Sequence, residues 1–412
     1  MFNSALGRAC KRLLDANDSP WLLPLPPWCD SRDRQVRRIR RAGRAAMRRR
    51  LVAERGWGPV LASAALWPAL ALIKAGLDSP PGPPRARLLA LFDTWWLQTA
   101  HNLRLDDQHR FRLDAPAQRR KARRIVTNGE NKTLLEFLNR DTASRCIGDK
   151  LPFAEFCRHH GLPTVPLLST CAGGAAPPEH LAPWPEADLF LKPAALWGGQ
   201  GATILHFDSA RRTWAAPGAP ALTPDSLAAF ARDHLHGAPW LLQPRLANSP
   251  DWAPFAPANG ALATVRVVTG RLLPCGPVQL IGGVMRFPRS HSTVDNLCPG
   301  GLGADFDVAT GRLHAARTLA PRSPFHTHHP DTGGALQGAI IPRWPEIAAL
   351  ALRAHVYVTD IPTLGWDVAL PPCGPLLLET NPNWGVQLDI PLGDTLYIEC
   401  LLQPAVTAGF PR

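Results

Sequence analysis

The sequence predicts an α+β protein preceded by a basic, mainly helical N-terminal region. Beyond residue 130, short apolar strand patterns separated by Gly and Pro mix with helical patterns, without the strict strand–helix repeat of a parallel-sheet fold. Charge is the second observation: residues 1–130 carry 25 Lys and Arg against 11 Asp and Glu, whereas the remainder carries 20 against 22. With 45% hydrophobic and 19% charged residues, the 412-residue composition is typical of a globular chain.

The basic N-terminal third contains an Arg-rich run, Arg34–Arg50, followed by the uncharged stretch Gly56–Ile73. This stretch is barely long enough to span a membrane, and it contains Pro59 and Pro68. We therefore expect a buried or interfacial helix. The arginines have two interpretations. They could form a solvated helix face, or residues 34–73 could contact an anionic membrane surface. No nucleic acid is expected, because no aromatic interleaving or binding module accompanies the charge.

Cysteine usage and the first residues bear on location. The nine cysteines form no C-x-x-C pair and no zinc spacing, which favours reduced thiols. The opening residues lack a continuous apolar core before a cleavage site, so we expect no secretory signal. We therefore expect a cytoplasmic protein, membrane-peripheral if the basic region contacts lipid.

The stretches beyond residue 130 predict a succession of elements. Helices are expected at Lys150–His160, Thr223–Leu235 and Pro345–Val356. Strands are expected at Leu189–Lys192, Thr203–Phe207, Trp240–Gln243, Ala263–Thr269, Val278–Arg286, Leu364–Leu370 and Leu376–Thr380.

The motif LLLETNPNWG places a carboxylate and an amide at the end of an apolar strand. Glu379 and Asn381 share a face because they are two residues apart, and their oxygens suit a hard cation such as Mg²⁺. If Pro371–Pro375 forms the hairpin loop, Leu370 pairs with Leu376 and Asp367 falls opposite Glu379. A strand that simply ends in an Asn-Pro turn is the alternative.

Two further stretches carry cations. In FLKPAALWGGQGATIL, Lys192 ends a strand before a glycine-rich loop, whose backbone amides could approach a phosphate; an ordinary hairpin is the alternative. In ATVRVVT, Arg266 lies in the middle of an apolar strand and needs an anionic partner, either a structural carboxylate or a phosphate.

Taken in order, these motifs resemble the ATP-grasp superfamily: a lysine (Lys150), the Lys-Pro glycine loop, the strand LLQPRL, the strand arginine and Asp…Glu-x-Asn. More narrowly, TVRVVTG, STVDNLCPGGLGADFDVATGRL, HHPDTGGALQGAIIPRWPEI and LGWDVALPPCGPLLLETNPNWG are similar to the sugar-transfer-associated ATP-grasp family (alpha-L-glutamate ligase-like). The resemblance covers roughly residues 131–400 and leaves the basic first third unexplained.

The resemblance implies an ATP-grasp fold, in which two α+β subdomains grip ATP. The expected divisions are the N-terminal region at 1–130, the lysine and glycine-loop subdomain at 131–245, the metal-binding subdomain at 246–400 and a tail at 401–412. ATP and Mg²⁺ are the implied cofactors, with Mn²⁺ as a substitute.

The resemblance also implies a role for each matching residue. Arg266 corresponds to the catalytic arginine near the terminal phosphate, and Lys192 is expected to share in catalysis. The ATP-binding residues would be Lys150, Lys192, Gly198, Gly199, Gly201, Gln243 and Leu246. Gln243 departs from the acidic hinge residue that is usual, so only backbone recognition of adenine carries over. The Mg²⁺ ligands would be Asp367, Glu379 and Asn381. Weaker substrate-pocket expectations fall on Asp295, Asn296, His329 and Asp331.

The function implied is an ATP- and Mg²⁺-dependent ligase that activates a carboxylate as an acyl phosphate for attack by an amine. The family name suggests work on cell-surface polysaccharide or glycan-linked molecules. The expected partners are a small-molecule carboxylate and amine. Two alternatives stay open: a phosphotransferase on the same nucleotide site, and a basic membrane-peripheral or scaffold protein whose ATP site is regulatory.

Overall fold

The computed structural model describes residues 34–385 apart from short gaps. These gaps are residues 79–80, 102, 114–118, 120–121, 123–124, 175, 177, 195–200, 217, 219–220, 258–260, 272–275, 291–300 and 321–322. The chain divides into two compact units. One comprises Met1–Arg140, Ala320–Ser323 and Asn383–Arg412, and the other comprises Asp141–Leu319 and Pro324–Pro382.

The described part of the first unit is helical. Its helices are α1 (Arg34–Arg55), α2 (Trp57–Asp78), α3 (Pro84–Ala100), α4 (Leu105–Arg110) and α5 (Asn128–Asn139). Thr127 caps α5 with a reciprocal capping box, in which the Glu130 carboxylate accepts the Thr127 backbone N–H. The same buried carboxylate faces two buried guanidinium groups of α1, from Arg40 and Arg44, at 3.5 and 3.2 Å. These contacts attach α1 to α5.

Helices α2 and α3 form an antiparallel hairpin. The Gln98 amide donates to the Ala71 carbonyl at 3.1 Å, and the Trp95 indole donates to the Pro68 carbonyl at 3.0 Å. No helix within the described residues is long and apolar enough to cross a membrane.

The second unit contains two six-stranded antiparallel sheets. The first sheet has the order β2-β1-β6-β3-β4-β5. Its strands are β1 (Ser169–Cys171), β2 (Glu179–His180), β3 (Leu189–Pro193), β4 (Thr203–Asp208), β5 (Thr213–Ala215) and β6 (Trp240–Pro244). Helix α6 (Lys150–His159) precedes it and helix α7 (Pro224–His234) lies between β5 and β6. Leu189, Leu191, Leu227 and Leu242 belong to its buried core. We call it the lysine sheet, after Lys192 of β3.

The second sheet has the order β10-β9-β8-β7-β11-β12. Its strands are β7 (Thr264–Gly270), β8 (Gln279–Phe287), β9 (Leu302–Asp307), β10 (Arg312–Leu313), β11 (Thr363–Ala369) and β12 (Leu376–Asn381). Helix α8 (Trp344–Val356) precedes β11 and contributes Ile347, Ala351 and Ala354 to the larger core of the unit, with Val265 and Val267 of β7. We call this the arginine sheet.

The expected α+β class is therefore confirmed, and a helical N-terminal region is present. Every expected strand and helix beyond residue 130 exists, and no end differs from its expected position by more than one residue. Repeated alternation and Gly or Pro boundaries explain this agreement, because both are local features of the chain.

Candidate active site

The β11–β12 hairpin places Asp367 directly opposite Glu379, as the sequence predicts. The pairing that produces this register differs from the expected one. Ala369, rather than Leu370, pairs with Leu376, so six residues connect the strands instead of five. The longer connection alone would place Asp367 and Glu379 on opposite faces of the sheet. A register shift leaves Leu378 of β12 unpaired, and this extra residue returns Asp367 and Glu379 to the same face.

A row of charged side chains crosses four adjacent strands of the arginine sheet. Asp367 of β11 is the partner of Arg266 on β7 and of Glu379 on β12. Arg286 of β8 is the partner of Thr264, two residues before Arg266, so both arginines lie on the same sheet face. The strand order therefore brings Arg286, Arg266, Asp367 and Glu379 together without any loop.

Asp367 is held by both arginines. The Arg266 Nε and Nη2 groups each donate to one of its oxygens at 2.6 Å, and the Arg286 Nη1 and Nη2 groups donate at 3.1 and 3.2 Å. Only 4% of the Asp367 side chain is exposed. Burial alone would raise its carboxyl pKa, but the two guanidinium charges outweigh burial and hold this pKa well below its usual range. Asp367 is therefore ionised at neutral pH.

Glu379 is the more accessible carboxylate of the row. Its side chain is 43% exposed, its Oε1 lies 3.8 Å from Arg266 Nη2, and it accepts a 3.4 Å hydrogen bond from the Asn381 amide. Desolvation and the adjacent Asp367 charge raise the pKa of Glu379. Because solvent reaches nearly half of the side chain, we assign most of this increase to Asp367. The expected side-by-side placement of Glu379 and Asn381 is present.

Two lysines of the same unit act electrostatically on Glu379. Lys192 lies near the end of β3, and burial, with the Lys150 charge as a smaller cause, lowers its pKa to about 8; Glu379 opposes this change. Lys150 is the first residue of α6, its Nζ donates to the Ala194 carbonyl at 3.2 Å, and burial lowers its pKa. Together with Arg266 and Arg286, these lysines make four cations whose charges act on Glu379, and the Arg266 guanidinium lies 3.8 Å from its carboxylate.

The donor set fits a hard cation in part. Glu379 and Asn381 carry oxygen ligands of the kind that Mg²⁺ takes, but the Asn381 amide nitrogen, rather than its oxygen, contacts Glu379. Asp367 could contact such a cation only after giving up contacts to guanidinium groups, because each of its oxygens accepts from both arginines.

The expected adenine hinge follows β6. Gln243 is buried in this strand, and its Nε2 donates to the Val165 carbonyl at 3.3 Å, so its side chain fixes the strand to the preceding segment. Leu246 is two residues beyond the strand end. Gly201 has a φ of 70°, whereas Gly198 and Gly199 lie outside the described residues.

The expected substrate residues His329 and Asp331 belong to one loop anchor. The buried His329 ring donates from Nε2 to the Pro288 carbonyl at 3.1 Å, and its Nδ1 accepts from the Asp331 backbone. Asp331 accepts from Arg289 at 2.8 and 3.0 Å and from the Ser290 backbone at 2.8 Å. Both side chains thus fix the chain just after β8. Asp295 and Asn296 lie outside the described residues.

Arg286 is the site residue that the sequence reasoning missed. A signal was available, because Arg286 lies in the apolar strand pattern GGVMRF just as Arg266 lies in ATVRVVT. A buried arginine in an apolar strand needs an anionic partner wherever it occurs. The two glycines of the β8 pattern interrupt its alternation and hide which face the arginine occupies.

Comparison with known proteins places this geometry in a family. A search of curated proteins found no match to the chain. Among solved structures, D-cycloserine synthetase DcsG is similar with a TM-score of 0.35 and 12% identity, over 64% of this chain and 71% of that one. D-alanyl-alanine synthetase A from Vibrio cholerae has a TM-score of 0.38 and 11% identity, over 65% of this chain and 66% of that one.

D-alanine–D-alanine ligase from Bacillus anthracis, complexed with ATP, has a TM-score of 0.34 and 10% identity, over 64% of this chain and 65% of that one. No residue role assigned to this chain rests on these likenesses. The family described as sugar-transfer associated ATP-grasp matches residues 130–401, about two thirds of the chain. The chain therefore belongs to the sugar-transfer associated ATP-grasp family.

Proposed function

We propose that this protein is an ATP- and Mg²⁺-dependent ligase that activates a carboxylate as an acyl phosphate for attack by an amine. The observation that supports the proposal is that the charges of Lys150, Lys192, Arg266 and Arg286 all act on Glu379, next to Asn381, with the Arg266 guanidinium 3.8 Å from the Glu379 carboxylate. Four cations at one accessible carboxylate and amide form a site for a polyphosphate with its metal, and membership of an ATP-grasp family favours ATP.

Lys150 and Lys192 are proposed to bind the ATP phosphates, and Gly198, Gly199 and Gly201 are proposed as further ATP-binding residues. The lowered pKa of Lys192 has desolvation as its largest cause, and no carboxylate lies at ion-pair distance from this lysine within the described residues. A phosphate would supply that counter-charge. The backbone from Gln243 to Leu246 would recognise adenine.

Glu379 and Asn381 would hold Mg²⁺, and Asp367 would complete the ligand set if a guanidinium group releases it. When bound, Mg²⁺, or Mn²⁺ as a substitute, would neutralise charge on the β- and γ-phosphates. Arg266 and Arg286 lie beside Glu379 and would stabilise the charge of the transferring phosphoryl group. Asp367 accepts two hydrogen bonds from each guanidinium group and thereby orients both planes.

The reaction has two displacements. A carboxylate oxygen of the acid attacks the γ-phosphorus, the bond from that phosphorus to the β–γ bridging oxygen breaks, and ADP leaves. The amine nitrogen then attacks the acyl carbon, the bond between that carbon and the phosphate oxygen breaks, and inorganic phosphate leaves with loss of a proton from the nitrogen. The family description supports an acid or amine that belongs to a glycan or a glycan-linked molecule.

Trapping with hydroxylamine tests this proposal. Purified protein would be incubated with ATP, MgCl₂ and pools of small carboxylic acids and amines, and ADP, phosphate and hydroxamate would be measured. We expect ADP release that depends on one acid pool, together with hydroxamate in the presence of hydroxylamine. Glu379→Gln should abolish both products, and the exposed-site variant Glu155→Gln should retain both.

Other product patterns would contradict a ligase. ADP with a stable phosphorylated acceptor and no hydroxamate would identify a phosphotransferase. ATP binding without turnover on any pool would favour the regulatory alternative.

A further inference from the structure

The α2–α3 hairpin exposes ten large apolar side chains. Six large apolar side chains of α2 are 46–61% exposed: Trp57, Leu61, Leu66, Leu72, Ile73 and Leu77. Four more on α3, from Leu88 to Trp96, are 41–67% exposed. We call these ten side chains the apolar band. Monomeric soluble proteins rarely expose contiguous apolar patches larger than a few hundred Å², so a surface of this extent indicates a binding partner.

Among the described side chains of α2, none of the exposed ones is charged. Every described residue of α2 that is exposed is apolar or glycine, over a helix of 22 residues, or about 33 Å. Its two charged side chains are turned inward: the Lys74 Nζ lies over the Trp67 ring at 5.6 Å from the centroid, and Asp78 pairs with His109 at 3.2 Å. A surface helix in water normally carries charged residues on its outer side.

Positive charge borders the apolar band at both ends of the hairpin. Arg55 ends α1 just before Trp57, and Arg85 and Arg87 lie in the first turn of α3; all three are exposed. The carboxylate of α3, Asp93, is paired with Arg119 at 2.7 Å. The charge that the band presents to a partner is therefore positive.

This charge pattern selects among the occupants that an apolar surface could have. A second copy of the chain would bring like-charged ends together, which costs free energy at an interface. A bilayer with anionic headgroups offers both an apolar interior for Leu, Phe and Trp and negative charge for the flanking arginines.

We propose that the apolar band docks on the surface of a lipid bilayer that carries anionic headgroups. Helices α2 and α3 would lie in the plane of the interface with their large apolar side chains below the headgroups. Arg55, Arg85 and Arg87 would contact headgroup phosphates. This inference is independent of the proposed ligase activity.

Flotation of the full-length protein tests the proposal, with vesicles of 30% phosphatidylglycerol in phosphatidylcholine at 0.1 M NaCl. We expect the protein to float with these vesicles, and the partition coefficient to fall at least about tenfold in 0.5 M NaCl or with phosphatidylcholine alone. The double variant Leu66→Gln/Ile73→Gln should lose about tenfold or more on anionic vesicles. Both sites are exposed, so this variant should fold.

The matched control is Val356→Gln/Tyr357→Gln, which changes two exposed side chains at the end of α8 and should bind as the wild type does. Glu379→Gln should also float as the wild type does. The membrane proposal is therefore tested separately from the ligase proposal.

Three outcomes would overturn the proposal. The first is a wild-type protein that does not float. The second is equal flotation of the wild type and Leu66→Gln/Ile73→Gln. The third is a wild-type protein that does not float and is dimeric by light scattering, together with a monomeric Leu66→Gln/Ile73→Gln variant. That result would identify a second copy of the chain as the occupant of the apolar band.

Discussion

The two sheets of the second unit hold their cations in different ways. In the arginine sheet, Arg266 and Arg286 each donate two hydrogen bonds to Asp367, and all three side chains are at most 10% exposed. In the lysine sheet, Lys192 has no carboxylate within ion-pair distance among the described residues, and its pKa falls to about 8. One sheet contains a neutralised charge cluster, and the other contains a cation without a close counter-charge.

This difference follows from the chemistry of the two side chains. A guanidinium group is planar and always charged, so it can be buried only where a carboxylate matches its donors. An ammonium group is a point charge whose pKa responds to burial. The arginine sheet therefore has its charge pairing in place without a ligand, whereas under the proposed function an incoming anion would supply the counter-charge of the lysine sheet.

The largest expected effect comes from removing the carboxylate that both arginines share. Asp367→Asn removes the carboxylate that pairs with both buried guanidinium groups and leaves only the half-exposed Glu379 near Arg266, so we expect a loss of about 3–5 kcal/mol in the free energy of unfolding. Urea-induced unfolding measures this loss. The control is Glu346→Gln, which breaks an exposed pair with Arg343 and should cost at most about 1 kcal/mol. Equal changes in the two variants would contradict a preassembled cluster.

Replacing the second carboxylate of the row should affect activity instead of stability. Glu379→Gln keeps the shape of a half-exposed side chain and removes its repulsion with Asp367, so the free energy of unfolding should change by less than about 1 kcal/mol. Turnover should fall about 10²–10³-fold, because the site loses the carboxylate on which its four cations converge. ADP release measures turnover, and wild-type turnover in this variant would remove Glu379 from the site.

The two arginines should differ in their coupling to Asp367. Arg266 donates at 2.6 Å and also approaches Glu379, whereas Arg286 donates at 3.1 and 3.2 Å. We expect Arg266→Gln to lower turnover about 10²-fold and Arg286→Gln about tenfold. Double-mutant cycles with Asp367→Asn should give coupling energies of about 0.5–3 kcal/mol, larger for Arg266. A larger coupling for Arg286 would reverse the assigned order.

The smallest expected effect is the pH dependence that Lys192 gives to nucleotide binding. Below pH 8 Lys192 is already protonated, so the Kd for ADP should be independent of this group. Above pH 8 a bound phosphate must draw a proton onto Lys192, so the Kd should rise by up to about tenfold per pH unit. Calorimetric titrations between pH 7 and 9.5 measure this rise.

Lys192→Arg is the matched variant for that titration, since arginine stays charged throughout the range and should flatten the profile. The same rise in both proteins would assign the proton to another group.

The sequence predicted most of the arginine sheet because alternation and buried charge are local signals. It predicted Asp367 opposite Glu379 from a five-residue loop, although the chain uses six residues and an extra one at Leu378. The longer connection and the extra residue in β12 compensate for one another. No local sequence pattern predicts a bulge of this kind. Arg286 was missed for a related reason, because Gly282 and Gly283 interrupt the alternation that would have fixed its face.

The loop anchor around His329 shows what sequence patterns could not supply. Its partners, Pro288 and Arg289, lie about 40 residues earlier in the chain, and only the completed fold brings them to His329 and Asp331. Those two side chains remain predicted substrate residues, with contacts that hold the end of β8. The apolar band was visible as the uncharged stretch Gly56–Ile73, but its extension onto α3 depends on the packing of the hairpin.

The most direct test of the central claim follows oxygen from the acid. Pools of carboxylic acids labelled with ¹⁸O in their carboxyl groups would be incubated with the protein, amines, ATP and MgCl₂, and the released phosphate would be analysed by mass spectrometry. A ligase of the proposed kind transfers one ¹⁸O atom from the carboxylate into each phosphate, and Glu379→Gln abolishes this transfer. Unlabelled phosphate released in step with ADP and product would contradict activation through an acyl phosphate.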